Sequence, residues 1–253
     1  MAKLSVNLNK IALLRNSRDS VAPDLNSFGL AAIAAGAPSL TVHPREDERH
    51  VRMTDVPRLA QIEPVVAGRV ELNVEGDLRE SLVALVCDLA PTQFTVVPVM
   101  PREVTSTRGW REDDDHEALK VAMARMRDAG VGRISVFCDP DACSVDLAIA
   151  AGADAVELYT GAYAHAFDRG GGEAELAAIA AAAARVRAAG LRLHGGHGLT
   201  LENMPPMLAI APMDEVSIGH HLTIEALRRG WHAAVGAFIA CANGQTNDAT
   251  AWH

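Results

Sequence analysis

Short runs of β-branched and aliphatic residues alternate with alanine- and leucine-rich helical stretches from one end of this chain to the other. That alternation is the pattern of βαβ units building a parallel sheet. The strand-like runs cover 4–8, 39–42, 70–74, 93–97, 133–137, 155–158, 191–194 and 215–218. Helical patterns follow over 25–35, 54–61, 78–89, 115–129, 142–151, 173–189, 201–210 and 222–242. The punctuation Ala35-Gly36, Ala129-Gly130, Ala151-Gly152 and Ala189-Gly190 reads as a helix C-terminal glycine leading into the next strand. Eight such units closing on themselves predict a (β/α)₈ barrel over residues 1–242, with a polar tail at 243–253 that lacks apolar periodicity. An open doubly wound sheet is disfavoured, because Val6-Asn7-Leu8-Asn9-Lys10 stands where Gly-x-Gly-x-x-Gly would follow the first strand.

Composition narrows the partners. A chain of 253 residues that is 49% hydrophobic is large enough for one substantial core. A net charge of -9 without a basic stripe argues against nucleic acid, while leaving room for local cationic pockets. No window approaches the roughly 20 apolar residues of a membrane span, and Met1-Ala2-Lys3-Leu4 enters a strand-like run without an apolar leader. Cys87, Cys138, Cys143 and Cys241 show no Cys-x-x-Cys pairing, so neither a metal knuckle nor a disulfide framework is expected, and a reducing, cytoplasmic compartment is.

Barrel enzymes carry their chemistry at the carboxyl ends of the strands, and here polar groups collect there. The second run breaks into His43-Pro44-Arg45-Glu46-Asp47-Glu48-Arg49-His50, and Pro44 pushes His43 into an extended conformation at the strand's end. His43, Arg45 and His50 read as site residues; Glu46, Asp47, Glu48 and Arg49 read as loop charge. Other runs end at Asn7, Asn9 and Lys10, at Asn73 and Glu75, at Glu103 and Thr105, at Glu157 and Thr160, at His194 and His197, and at Gly219 and His220. Any one is ambiguous, since a lone histidine is often a packing residue and Asn7 or Thr160 is also a helix-capping type. Gly195-Gly196-His197-Gly198, beside Gly219, has the make-up of a phosphate pocket of backbone N–H groups. Arg15 and Arg18 read either as a second anion clamp or as surface charge. Several histidines and glutamates around one cavity suggest proton shuttling. A zinc site is the minority reading, because the His-x-His of barrel hydrolases is replaced by Asn7-Leu8-Asn9.

Together these motifs resemble the pyridoxine 5′-phosphate synthase family from about Leu4 to Gly236. The resemblance rests on Val6-Asn7-x-x-x-Ile11-Ala12-x-Leu14-Arg15-Asn16-x-Arg18, Thr41-Val42-His43-Pro44-Arg45-Glu46-Asp47-x-Arg49-His50, Leu72-Asn73-Val74-Glu75, Glu103-Val104-Thr105, Val156-Glu157-Leu158-Tyr159-Thr160-Gly161, Gly196-His197-Gly198-Leu199-Thr200 and Ser217-Ile218-Gly219-His220. It implies a transferase that condenses 3-amino-2-oxopropyl phosphate with 1-deoxy-D-xylulose 5-phosphate, using neither metal nor organic cofactor, on a barrel with extra helices. His43 and Glu75 would be general bases, His197 the general acid and Glu157 a transition-state stabiliser. Asn7, Arg18, Gly198, Gly219 and His220 would bind the aminoketone phosphate, and Arg45, His50 and Thr105 the sugar phosphate. The family implies a homo-oligomer, an octamer of dimers in which a first-loop arginine reaches a neighbouring subunit's site. The segment 100–114 is the expected lid. The chain departs from the family pattern at Asn9-Lys10, where most members have Asp-His, and at Tyr159, where most have His. The departures read as a subgroup in which the Lys10 ammonium takes over contact with the sugar phosphate. A phosphate-binding isomerase or aldolase, and a non-catalytic paralogue that binds a phosphorylated metabolite, are the alternatives.

Overall fold

The computed structural model describes residues 1–18, 20–98 and 106–245. Eight parallel strands close into a barrel in chain order. They are β1 (Lys3–Asn7), β2 (Ser39–Val42), β3 (Glu71–Gly76), β4 (Gln93–Val96), β5 (Ile134–Cys138), β6 (Ala155–Tyr159), β7 (Arg192–Gly196) and β8 (Glu215–Ile218), and Ser5 opposite Ser217 closes the ring. Each expected strand is present, within about two residues of its expected ends. The helices are α1 (Asn9–Asn16), α2 (Leu25–Ala34), α3 (Asp55–Ala60), α4 (Glu63–Val66), α5 (Glu80–Leu89), α6 (His116–Asp128), α7 (Ala142–Ala150), α8 (Gly161–Phe167), α9 (Glu173–Ala188), α10 (Met204–Ile210), α11 (His220–Arg229) and α12 (Trp231–Ala242). No helix among the described residues is long and apolar enough to cross a membrane.

Local chemistry sets several helix starts. Asp24, Asp115 and Asp141 each accept a hydrogen bond from the backbone N–H three residues on, supplying one of the acceptors that a helix's first turn lacks. Gly230 takes φ +84° and splits the expected 222–242 helix into α11 and α12. Three further helices were not anticipated: α1 and α8, each lying directly after a strand, and the single turn of α4. Of the polar tail, only 243–245 belongs to the described residues.

Every strand alternates between two environments. Outward side chains such as Leu4, Val6, Leu40, Leu72, Phe94, Val136 and Leu193 are fully buried against the helices and form the apolar core. The inward side chains are largely polar, where barrels usually place branched aliphatics. Ser5 bonds Ser39 and Thr41, Asn73 donates to Thr41 and accepts from Thr95, and Gln93 donates to Thr95. Arg133 then joins Gln93 to Glu71, which also holds Lys3 at 2.7 Å. Each of these linked groups finds a partner, which is the condition for a polar interior to be tolerated, whereas the buried Ser135 Oγ on β5 has none among the described residues.

Candidate active site

Inward positions nearest the strands' carboxyl ends open into a cavity of about 320 Å³. It gathers Asn7, Asn9 and Lys10 after β1, His43, Arg45 and His50 after β2, Glu75 from β3, Glu157 from β6, His197 and Gly198 after β7, and Gly219 and His220 after β8. These expected site residues therefore share one space. Arg18 does not line it; the residue is exposed. Thr105 and Glu103 lie outside the described residues.

Two expectations need correction. Arg15 is neither anion clamp nor surface charge: its guanidinium is buried, bidentate to Asp55 at 2.7 and 2.9 Å, and donates to the His50 carbonyl at 3.2 Å. Arg49, read as loop charge, faces the cavity. The proposed lid, 100–114, lies outside the described residues up to 105, and its described end is tied down. There Trp110 Nε1 donates to the Val96 carbonyl at 3.3 Å, Ser144 Oγ donates to the Trp110 carbonyl at 2.8 Å, and Arg108 pairs with Asp114 at 2.7 Å. Sequence reasoning also missed Ser106 and Phe137 in the lining, and His221, which follows His220 at the eighth strand's end, lines it too.

The loop after β2 is built to present its side chains. The His43 backbone N–H donates to Asn9 Oδ1 at 2.9 Å, tying the first two strand ends together. Val51 N–H donates to His50 Nδ1 at 2.9 Å, which leaves Nε2 as that ring's free valence. Asn16 Nδ2 donates to the His50 carbonyl at 2.7 Å and anchors the loop to α1. Across the cavity Gly196 leaves space for a carboxylate, because a Cβ there would stand 2.5 Å from Glu157 Oε1.

Burial sets the protonation states. It raises the Glu75 carboxyl to about 8, helped by the negative charge of Glu215, and holds Glu157 well above the carboxylate range, helped by Glu75 and Glu215. Burial pushes His43 well below the ordinary imidazole value, with His50 and Arg45 adding to it, and takes His50 down to about 4. His43 Nδ1 stands 3.8 Å from Glu75 Oε2, and its buried Nε2 has no hydrogen-bond partner among the described residues. The result at neutral pH is a set of uncharged imidazoles beside protonated carboxyls, an acid–base array held away from bulk water. Positive charge comes from Lys10, Arg45 and Arg49 on one side of the mouth. Lys10 makes no ion pair or hydrogen bond to the described residues, so its ammonium is available to an anion.

The family model described as "Pyridoxal phosphate biosynthesis protein PdxJ" matches residues 4–243. The chain belongs to this family. It is 42% identical over 241 residues to a pyridoxine 5′-phosphate synthase of Brucella anthropi, spanning 94% of this chain and 98% of that protein. It is 44% identical over 241 residues to the synthase of Allorhizobium ampelinum, spanning 94% and 96%. Among solved structures, phosphoribosyl anthranilate isomerase from Thermotoga maritima superposes with a TM-score of 0.62 at 13% identity, over 96% of this chain and 100% of that one. A structure described as native KDPGal gives 0.62 at 14% identity, over 95% and 94%. Those structural likenesses show the barrel fold. The PdxJ membership rests on the sequence matches.

Proposed function

We infer that the chain is a pyridoxine 5′-phosphate synthase, joining 3-amino-2-oxopropyl phosphate and 1-deoxy-D-xylulose 5-phosphate with release of phosphate and two waters. The observation that carries this reading is the convergence of His43, Glu75, Glu157 and His197, from four different strand ends, on one cavity rimmed by Lys10, Arg45 and Arg49. Joining an amine to a ketone, closing the ring and aromatising it require proton transfers at carbon and oxygen and no net redox step. His43 and Glu75 serve as bases, His197 protonates departing oxygen, and Glu157 stabilises charge that develops between them. Two phosphates need separate pockets. Arg45, His50 and Thr105 hold the sugar phosphate, while Asn7, Gly198, Gly219 and His220 hold the other near the N-terminus of α11, whose first-turn N–H groups favour an anion.

The test mixes purified protein, treated with chelator, with both substrates and follows pyridoxine 5′-phosphate by absorbance. Product is expected to form in the chelator. No product from folded protein would overturn the reading and favour an isomerase, an aldolase or a silent binder. In this reading Lys10 contacts the sugar phosphate. Lys10→Ala is then expected to raise KM for that substrate about tenfold, the cost of one charge-assisted hydrogen bond; an unchanged KM would refute the contact. Arg18 serves a neighbouring copy's site, a reading supported by its exposure away from its own cavity. A homo-oligomer is expected by light scattering, and a monomer would remove that role. A cytoplasmic home fits four cysteines that all stand as free thiols.

A further inference from the structure

His197 is one of three non-glycine residues with positive φ among the described residues, at +79°. Left-handed backbone at a non-glycine residue persists only where its surroundings enforce it. Two neighbours in β6 and the turn after it do so. Thr160, fully buried, is the N-cap residue of α8, yet its hydroxyl makes no capping bond to that helix. Instead the single O–H of Thr160 is shared between the Gly196 carbonyl, 2.7 Å from Oγ1, and the His197 carbonyl, 2.6 Å from it, and its backbone N–H donates to the Gly196 carbonyl at 2.9 Å. These two carbonyls bracket the φ and ψ bonds of His197, so one hydroxyl fixes both.

The imidazole itself is held by rings. Its centroid lies 5.4 Å from that of Tyr159 and 5.3 Å from that of Phe137, and these two rings meet edge to face at 6.0 Å. Such separations are those of favourable aromatic pairs. Gly161 secures the arrangement from behind, because any Cβ there would strike the Tyr159 ring and hydroxyl.

We propose that Thr160 and Tyr159 are positioning residues for His197, with Thr160 locking its backbone in the left-handed conformation and Tyr159, against Phe137, setting the direction of its imidazole. The proposal rests on His197 acting as the general acid, and it adds the parts that aim it. Neither residue touches substrate in this scheme.

The experiment compares Thr160→Val, which keeps shape but loses the donor, with Thr160→Ser, which keeps the donor. Thr160→Val is expected to lower kcat by on the order of 10²-fold, the effect of moving a reacting group by about 1 Å. KM for both substrates should stay within about twofold, and the pH profile and the His197 imidazole NMR signal should both move. Thr160→Ser should restore all three, as Tyr159→Phe should relative to Tyr159→Ala. A folded Thr160→Val protein with wild-type kcat, pH profile and imidazole signal overturns the proposal. If Thr160→Val does not fold, Tyr159→Ala decides by the same readouts. His197→Ala separates the two levels: a wild-type rate there removes the acid role itself, whereas loss of rate there with normal Thr160→Val and Tyr159→Ala enzymes removes only the positioning. Should the wild-type chain make no product, the imidazole signal alone decides, and its constancy in Thr160→Val overturns the claim.

Discussion

Glu75→Gln is expected to reduce kcat by about 10²–10⁴-fold, the usual contribution of a general base, with the fold and melting temperature retained. Glutamine keeps the size of the side chain and removes its ability to accept a proton. The wild-type pH dependence follows from the same group. A base works deprotonated, and burial together with the charge on Glu215 raises this carboxyl to about 8, so kcat/KM should climb with pH toward that value. Glu215→Gln removes the neighbouring charge and should shift the rising limb to lower pH, while Glu75→Gln should abolish it. A kcat within threefold of wild type in Glu75→Gln would show that the base lies elsewhere in the cavity.

Arg15→Ala should destabilise the protein by about 3–5 kcal/mol, because it strands the Asp55 carboxylate in a buried site. Both side chains are almost inaccessible, at 6% and 5% exposure, and the pair ties α1 to the start of α3. For a domain of this size the loss corresponds to a melting temperature lowered by roughly 6–20 °C. The double variant Arg15→Met/Asp55→Leu should recover much of that loss, since it leaves no unpaired buried charge. Urea denaturation of the two single variants and the double variant measures the coupling directly. If Arg15→Ala alone melts within 2 °C of wild type, the pair contributes nothing net.

The strands and the mouth of the barrel were readable in the chain because their signals are local. Each strand is a run of a few residues, and each catalytic candidate sits at its end, so His43, Glu75, Glu157 and His197 were identifiable without knowing how the strands close. What escaped has causes at a distance. The Arg15 side chain is buried because Asp55 receives it forty positions away in sequence, and no spacing rule connects the two. Helix α1 starts after Leu8 without a side-chain cap, so nothing local announces it; the burial of Ile11, Ala12 and Arg15 holds it instead. Arg49 sits among carboxylates and pairs with Asp47 at 2.7 Å, which disguised it as solvated charge although it also faces the cavity. The inward polar alternation of Lys3-Leu4-Ser5-Val6-Asn7 and Glu71-Leu72-Asn73-Val74-Glu75 is visible in hindsight as a period of two, masked because the outward residues alone suffice to mark a strand.

The hydrogen-bonded barrel interior has a bearing on how this chain can change over time. In an aliphatic barrel, one leucine replaced by a methionine or an isoleucine is absorbed by small shifts of its neighbours. Here Ser5, Thr41, Asn73, Thr95, Gln93 and Arg133 pass donors and acceptors from one to the next around the ring. Replacing any one of them leaves a buried group in the next without its partner, at about 1–3 kcal/mol each. The interior is therefore inherited as a block: it drifts by matched exchanges at adjoining strands or scarcely at all, while the apolar shell outside it is free to vary one side chain at a time.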